Sequence, residues 1–187
     1  GGTILFPLSY IFGDILTEVY GYAQSRKVIW TGFFMILLAS VVFIVVGALK
    51  PSPDWNGQAA YDQILGLTPR IVVASITAYF AGEFSNSYIL AKMKIWMKGK
   101  FLWMRTIGST LVGEAFDTTI FIMLAFFGVE GFSNELLLTL IISNYVFKVL
   151  VEILFTPITY AATRFLKKRE EEDHFDHGTN FNPFKIG

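Results

Sequence analysis

The sequence predicts an all-α membrane protein, a six-transmembrane-helix bundle with about five of its spans in these 187 residues. Three observations lead there. Hydrophobic residues make up 53% of the chain and charged ones 16%, with a mean hydropathy of +0.53, outside the range of soluble domains. Several charge-poor runs reach the ~20 residues that cross a hydrocarbon core. Lysine and arginine collect in alternate connections, the pattern that orients membrane helices.

Residues 1–22 are apolar but hold Pro7, Gly13, Asp14 and Glu18 and lead to Arg26-Lys27, which reads as a broken or partial first span. Residues 28–49 carry no charge and form the clearest span, stopped by Lys50-Pro51-Ser52-Pro53. Residues 51–69, with Pro, Gly, Asn, Asp and Trp55, read as a polar loop containing a short amphipathic turn. The third span is 70–91, followed by the basic 92–100, and the fourth is 105–127. After a short turn, 135–166 is too long for a straight crossing and is expected to tilt or bend near Pro157. Arg26 and Lys27, then four lysines and Arg105, then Arg164, Lys167, Lys168 and Arg169 place segments 23–27, 92–105 and the C-terminus in the cytoplasm. Span one then runs outside to inside, and because the chain opens Gly1-Gly2-Thr3 without Met, a further span is expected upstream. Residues 1–166 are thus the transmembrane domain, and the polar 167–187 are expected to be a flexible cytoplasmic tail.

Composition also excludes. The net charge is zero, which gives no footprint for nucleic acid. Cysteine is absent, so disulfides, thiol nucleophiles and thiolate metal sites go together. Both histidines, His174 and His177, lie in the tail, and no His-Glu-x-x-His pattern exists. An enzyme, a metal site and a bound cofactor are therefore not expected.

Seven charged residues stay inside the membrane wherever the boundaries are drawn: Asp14, Glu18, Glu83, Glu114, Asp117, Lys148 and Glu152. Each costs roughly 2.5–3.5 kcal/mol at a helix centre on insertion scales, so such residues face a bundle interior or a wet cavity. A buried ion pair that only holds helices together is the plain alternative, but one lysine cannot neutralise six acids. Counted at about 1.5 Å per residue from the nearest cytoplasmic boundary, Glu18, Glu83 and Glu114 fall in one layer. Asp14, Asp117 and Glu152 fall in a second, with Lys148 one turn beyond. Gly13, Gly82 and Gly113 each precede an acid and thin the helix there. Small residues repeat at spacing four through Ala74, Ala78, Gly82 and Asn86, and through Ser109, Gly113 and Asp117. Asn144, Lys148, Glu152 and Thr156 line one face of the last span, with an expected internal Lys148–Glu152 pair. A cavity of carboxylates and amides calls for a ligand rich in hydrogen-bond donors. Phe6, Tyr10, Tyr20, Tyr22, Tyr79, Phe84 and Phe116 are candidates to stack a planar ring, although membrane aromatics also serve packing and lipid contact.

The motifs Phe6-Pro-Leu-Ser-Tyr-Ile-Phe-Gly-Asp14-Ile-Leu-Thr-Glu18, Gly66-Leu-Thr-Pro-Arg70, Gly82-Glu-Phe-Ser-Asn86-Ser, Arg105-Thr-Ile-Gly-Ser-Thr-Leu-Val-Gly-Glu114-Ala-Phe-Asp117 and Asn180-Phe-Asn-Pro-Phe184 closely resemble those of the queuosine precursor transporter family. That family is also known as a vitamin uptake family, and the resemblance covers nearly the whole chain. It implies a six-helix importer of the bacterial inner membrane for 7-cyano-7-deazaguanine or its aminomethyl relative, distantly similar in fold to the substrate-binding subunits of energy-coupling-factor vitamin transporters. A deazaguanine fits the cavity chemistry, with Glu114 or Asp117 taking its paired N–H groups and Glu83, Asn86 and Asn144 completing a polar ring. Lys148, Glu152, Asp14 and Glu18 complete the candidate substrate-binding set. The acids in excess supply proton carriers for symport, and facilitated entry with downstream trapping is the other energetic option. A binding subunit that needs an ATPase coupling module, an intramembrane enzyme and a ligand-free scaffold are the competing functions. Oligomeric state is left open, a homodimer being among the options.

Overall fold

The computed structural model describes residues 2–65 and 69–185, the side chains of residues 2–7 excepted. Phe6 as a stacking ring and residues 66–68 of the Gly-Leu-Thr-Pro-Arg motif lie outside the described residues. Six helices follow in order: α1 Gly2–Tyr20, α2 Tyr22–Ala48, α3 Gln58–Leu65, α4 Pro69–Trp96, α5 Leu102–Phe126 and α6 Asn134–Glu170. Among the described residues, four stretches are long and apolar enough to cross a membrane, and they contain α2, α4, α5 and α6. The short α3 is the amphipathic turn expected in the polar loop.

Local chemistry sets the ends. Gly21 separates α1 from α2 at φ 80°, a backbone state that L-residues rarely adopt. A side chain there would also strike His174 and Asp176 of the C-terminal segment. Pro69 stands at the first position of α4, where its missing N–H costs nothing. Ser133 caps α6 by accepting from the Leu136 N–H at 3.2 Å. Lys167, Lys168 and Arg169 sit in the last turn of α6, where the helix dipole favours positive charge. Arg70 reaches across to the carbonyls of Leu124, at 2.6 Å, and Phe127, covering groups that the end of α5 leaves without helical partners.

The most extensive contact joins α4 to α5, and α5 then packs on α6, α6 on α1, and α2 on α4. The α4–α5 crossing is centred on Gly82 and Gly113. A methyl group added to Gly82 would lie 2.8 Å from Asp117 Cβ and 3.2 Å from the Gly113 carbonyl oxygen. One added to Gly113 would lie 2.8 Å from Asn86 Cβ and 3.0 Å from the Gly82 carbonyl oxygen. The small-residue stripes therefore bring two backbones together. Polarity is inverted relative to a soluble protein: Asp14, Glu83, Asn86, Glu114, Asp117 and Glu152 are buried, while Phe34, Leu38, Val42 and Val46 of α2 are exposed to the lipid side.

Two expectations change. The third span runs on to Trp96, and its Lys94 is buried. The expected flexible tail is instead packed on the bundle: α6 continues to Glu170, and residues 171–185 fold back against α1, α2 and α4. There the Asn180 and Asn182 carbonyls accept from Arg26 at 2.8 and 2.9 Å, and the Pro183 carbonyl accepts from Trp30 Nε1 at 2.7 Å. Buried Asp176 accepts from the Tyr22 N–H at 3.0 Å, satisfying a donor freed by the break at Gly21. Phe181 adds a ring contact with Tyr22, centroids 5.0 Å apart, and lies under the Lys92 ammonium.

Candidate functional site

Lys148 on α6 holds the centre of the bundle. Its ammonium lies 2.8 Å from Glu114 and 2.7 Å from Asp117, both on α5, and donates to Thr118 Oγ1 at 3.3 Å. Thr118 donates in turn to Glu114 at 3.4 Å. Spacing on α5 makes this arrangement possible, since positions 114, 117 and 118 fall on one helical face. A cavity of about 510 Å³ opens beside the cluster. Asp117, Thr118 and Lys148 form its polar floor, Ser75 and Asn144 its polar flanks, and Phe121, Phe126 and Phe132 an aromatic wall. Phe126 and Phe132 stack with centroids 4.6 Å apart. Such a space suits a flat ligand of small-molecule size whose donors reach Asp117 and whose acceptor reaches Lys148.

Asp14, Asn86 and Glu152 form a second group. Asn86 Nδ2 donates to Asp14 Oδ1 at 2.6 Å, joining α4 to α1. Asp14 and Asn86 are wholly buried and Glu152 is 1% exposed. Among the described residues, Asp14 Oδ2, Asn86 Oδ1 and both oxygens of Glu152 have no hydrogen-bond partner. Glu83 on α4 lies beside α1, its carboxylate 3.3 Å from where a Gly13 side chain would begin.

Glu18 belongs to a third group at the basic end of the bundle. Its carboxylate pairs with Arg105, whose second nitrogen donates at 3.1 Å, and with Lys167 at 2.6 Å, while Lys94 stands 3.8 Å away. Asp173 extends the network, 2.6 Å from Lys94 and 2.8 Å from Lys167. Partial burial pushes the Asp173 carboxyl up, but hydrogen bonds and charge from Lys167 and Lys94 outweigh that and hold it below the usual aspartate value. A cleft of about 800 Å³ opens here, lined by Glu18, Arg105, Thr163, Arg164 and Lys168 among others.

Of the nine candidate residues, the structure gathers Asp117, Asn144 and Lys148 around the polar-and-aromatic cavity, with Glu114 bonded to Lys148. Asp14, Glu83, Asn86 and Glu152 are buried but do not line that cavity. Glu18 is the clear departure, because three cations surround it, as in the plain alternative of a structural ion pair. Glu18 is also not level with Glu114, since it meets Arg105 at the start of α5. The reason is that Arg105, from which the depth of Glu114 is counted, is itself buried and bonded to Glu18. The expected Lys148–Glu152 pair is replaced by bonds across to α5. Of the candidate stacking rings, Phe116 is 49% exposed and Tyr79 donates to the Ile29 carbonyl, whereas Phe121, Phe126 and Phe132 line the cavity. Their proximity to Asp117 along the chain was the available signal.

Known proteins resemble this chain over most of its length. A Bacillus subtilis (strain 168) protein named "Probable queuosine precursor transporter" is 31% identical over 170 residues, 90% of this chain and 73% of that protein. The Escherichia coli K12 "Queuosine precursor transporter" is 26% identical over 155 residues, 82% of this chain and 67% of the relative. A Haemophilus influenzae relative, also named "Probable queuosine precursor transporter", is 27% identical over 161 residues, 83% of this chain and 65% of its own. No solved structure matches, so the likeness to energy-coupling-factor subunits rests on the sequence resemblance alone. With residues 1–162 matched by its family model, the chain belongs to the transporter family described as "Putative vitamin uptake transporter".

Proposed function

We propose that this multi-pass membrane protein imports a queuosine precursor, 7-cyano-7-deazaguanine or its aminomethyl relative, acting as a carrier and not as an enzyme. The observation that carries the reading is the juxtaposition of Asp117 and Lys148 on the floor of an aromatic-walled cavity. A guanine-type edge has a ring N–H and an exocyclic amino group side by side, which suit one carboxylate, and a carbonyl oxygen next to them, which suits an ammonium. Phe126 and Phe132 offer flat faces to the ring. Asn144 adds an amide at the rim, and Glu114 holds Lys148 from behind. The names of the relatives support the same substrate class.

Orientation follows from charge. Arg26, Lys94, Arg105 and Lys167 gather at one end, and the 128–133 connection at the other has no lysine or arginine, so the basic end faces the cytoplasm of a bacterial inner membrane. The Asp117–Lys148 cavity then lies toward the outer side and the Glu18 cleft toward the inner. The acids in excess of Lys148 provide the means of proton coupling.

Uptake of labelled 7-cyano-7-deazaguanine by cells lacking their own importer tests the assignment. Asp117→Asn and Glu114→Gln proteins, at unchanged expression, are expected to lose about tenfold or more in uptake, the scale of a charge-assisted bond removed. Full transport by both variants would refute it.

A further inference from the structure

Three of the six buried acids on the long helices have cations beside them: Glu114 and Asp117 share Lys148, and Glu18 has Arg105, Lys94 and Lys167. Asp14 and Glu152 form no ion pair among the described residues, although both are at most 1% exposed. Together with Asn86 they present four oxygens that accept nothing, namely Asp14 Oδ2, Asn86 Oδ1 and the two oxygens of Glu152. An ionised carboxylate only accepts hydrogen bonds, so the group holds more acceptors than the Asn86 amide nitrogen can serve. The missing species is therefore a donor. A proton bound to Asp14 turns one acceptor into an O–H donor beside Asn86 Oδ1, whose amide already donates to Asp14, and a proton bound to Glu152 removes the charge of a second carboxylate that has no partner.

The surroundings select a cation. The charged groups acting on Asp14 are Glu152 of α6, Glu83 of α4 and Glu18 of its own helix, and on Glu152 the charge of Glu114 of α5 acts too. Lys148 stands one turn from Glu152 on α6 but is bonded across to α5. Polar groups lead away in both directions. Toward the cavity lies Lys148 itself. Toward the basic cleft the buried hydroxyls of Thr156, Thr159 and Thr163 follow Glu152 down α6, and Thr163 lines that cleft. Glu18, one turn from Asp14 on α1, lines it as well.

We propose that Asp14, held by Asn86, and Glu152 are a buried proton-binding pair that loads from the Lys148 cavity and discharges toward the Glu18 cleft as substrate is carried. This rests on the import of a deazapurine proposed above. While Glu152 holds its proton it is neutral, and Lys148 stays on Asp117 and Glu114, facing the cavity, as in the structure. When the O–H bond breaks and the proton passes to water in the cleft, the Glu152 carboxylate is one turn from Lys148 and draws the ammonium away from Asp117. The substrate then loses the donor to its carbonyl oxygen and is released. Proton and substrate therefore bind together and leave together.

Proteoliposomes of the purified full chain, with a pH-sensitive dye inside and labelled 7-cyano-7-deazaguanine outside, test this. An imposed gradient of one pH unit, acidic outside, should raise accumulation up to about tenfold for one coupled proton, and substrate addition should acidify the lumen. Asp14→Asn and Glu152→Gln proteins should lose the response of accumulation to the gradient. A Glu152→Gln protein that still responds, or accumulation that follows a sodium gradient instead, overturns the proposal. If the unaltered protein neither accumulates nor exchanges the deazapurine, the substrate assignment fails and the proton pair is judged without substrate. The infrared carboxylic-acid C=O stretch at neutral pH should then be present in the unaltered protein and diminished in Asp14→Asn and Glu152→Gln. Its absence, or its persistence in both variants, rules the pair out.

Discussion

The crossing of α4 and α5 gives the sharpest test of the architecture. In a Gly113→Ala protein the new methyl group would stand 2.8 Å from Asn86 Cβ and 3.0 Å from the Gly82 carbonyl oxygen, where ordinary contact begins at 3.4 Å. Both obstacles are fixed to the α4 backbone, so no rotamer change relieves them. The two helices must part by about 0.4–0.6 Å, and overpacking of this kind costs about 1–3 kcal/mol. Gly82→Ala meets Asp117 Cβ and the Gly113 carbonyl oxygen in the same way. Because both methyl groups enter one contact, the double variant should cost less than the two single changes together. Parting the helices also moves Asn86 and Asp117, so uptake should fall with stability. Thermal unfolding in one fixed detergent measures the effect, with Gly178→Ala as control, since nothing lies within 4 Å of a side chain there. A Gly113→Ala protein with the midpoint of the control would refute the close backbone approach.

Two further predictions concern the basic end. Glu18→Gln leaves Arg105, 1% exposed, without its carboxylate and Lys94 with Asp173 alone, and should cost about 3–5 kcal/mol, read as a lower denaturation midpoint; an unchanged midpoint would mean that other groups or water already neutralise Arg105. Asp173 is held below the usual aspartate value, so the stabilisation it gives to the docked segment is present above the unfolded value of ~4 and lost as pH falls through the lower folded value. Protease protection of residues 171–185 should therefore decline on acidification in the unaltered protein and lose that dependence in Asp173→Asn.

Much of the helical order was legible, because runs such as 28–49 have no other stable home than a bilayer and Lys50-Pro51 marks an end by local chemistry. The importance of Gly82 and Gly113 was legible too, from small residues at spacing four. What could not be read was the pairing of the acids. Depth along one helix fixes a residue only relative to its own chain ends, and the offsets between tilted helices decided that Glu18 meets Arg105 while Asp117 meets Lys148. The docked C-terminal segment escaped for another reason. Its composition is that of a loop, and much of what holds it is backbone carbonyls of Asn180, Asn182 and Pro183 accepting from Arg26 and Trp30, groups every residue possesses. Lys94 and Arg105 misled because basic residues near span ends are ordinarily solvated.

The polar face of α6 joins these findings. Asn144, Lys148, Glu152, Thr156 and Thr163 all face the interior side of one helix, yet each meets a different partner: the cavity, the α5 acids, nothing, its own backbone and the basic cleft. Lys148 could serve Glu152 within its own helix or Glu114 and Asp117 across the interface. It takes the second course, which satisfies two buried carboxylates for one ammonium. For Glu152 to compete it must be ionised, because a neutral carboxyl offers the ammonium far less than two carboxylates do. On the proposed coupling, the position of Lys148 depends on whether Glu152 carries a proton, and the same ammonium lines the aromatic-walled cavity. In that proposal a single side chain links the occupancy of the cavity and of the buried carboxyl pair, which is all that coupled transport requires of the bundle.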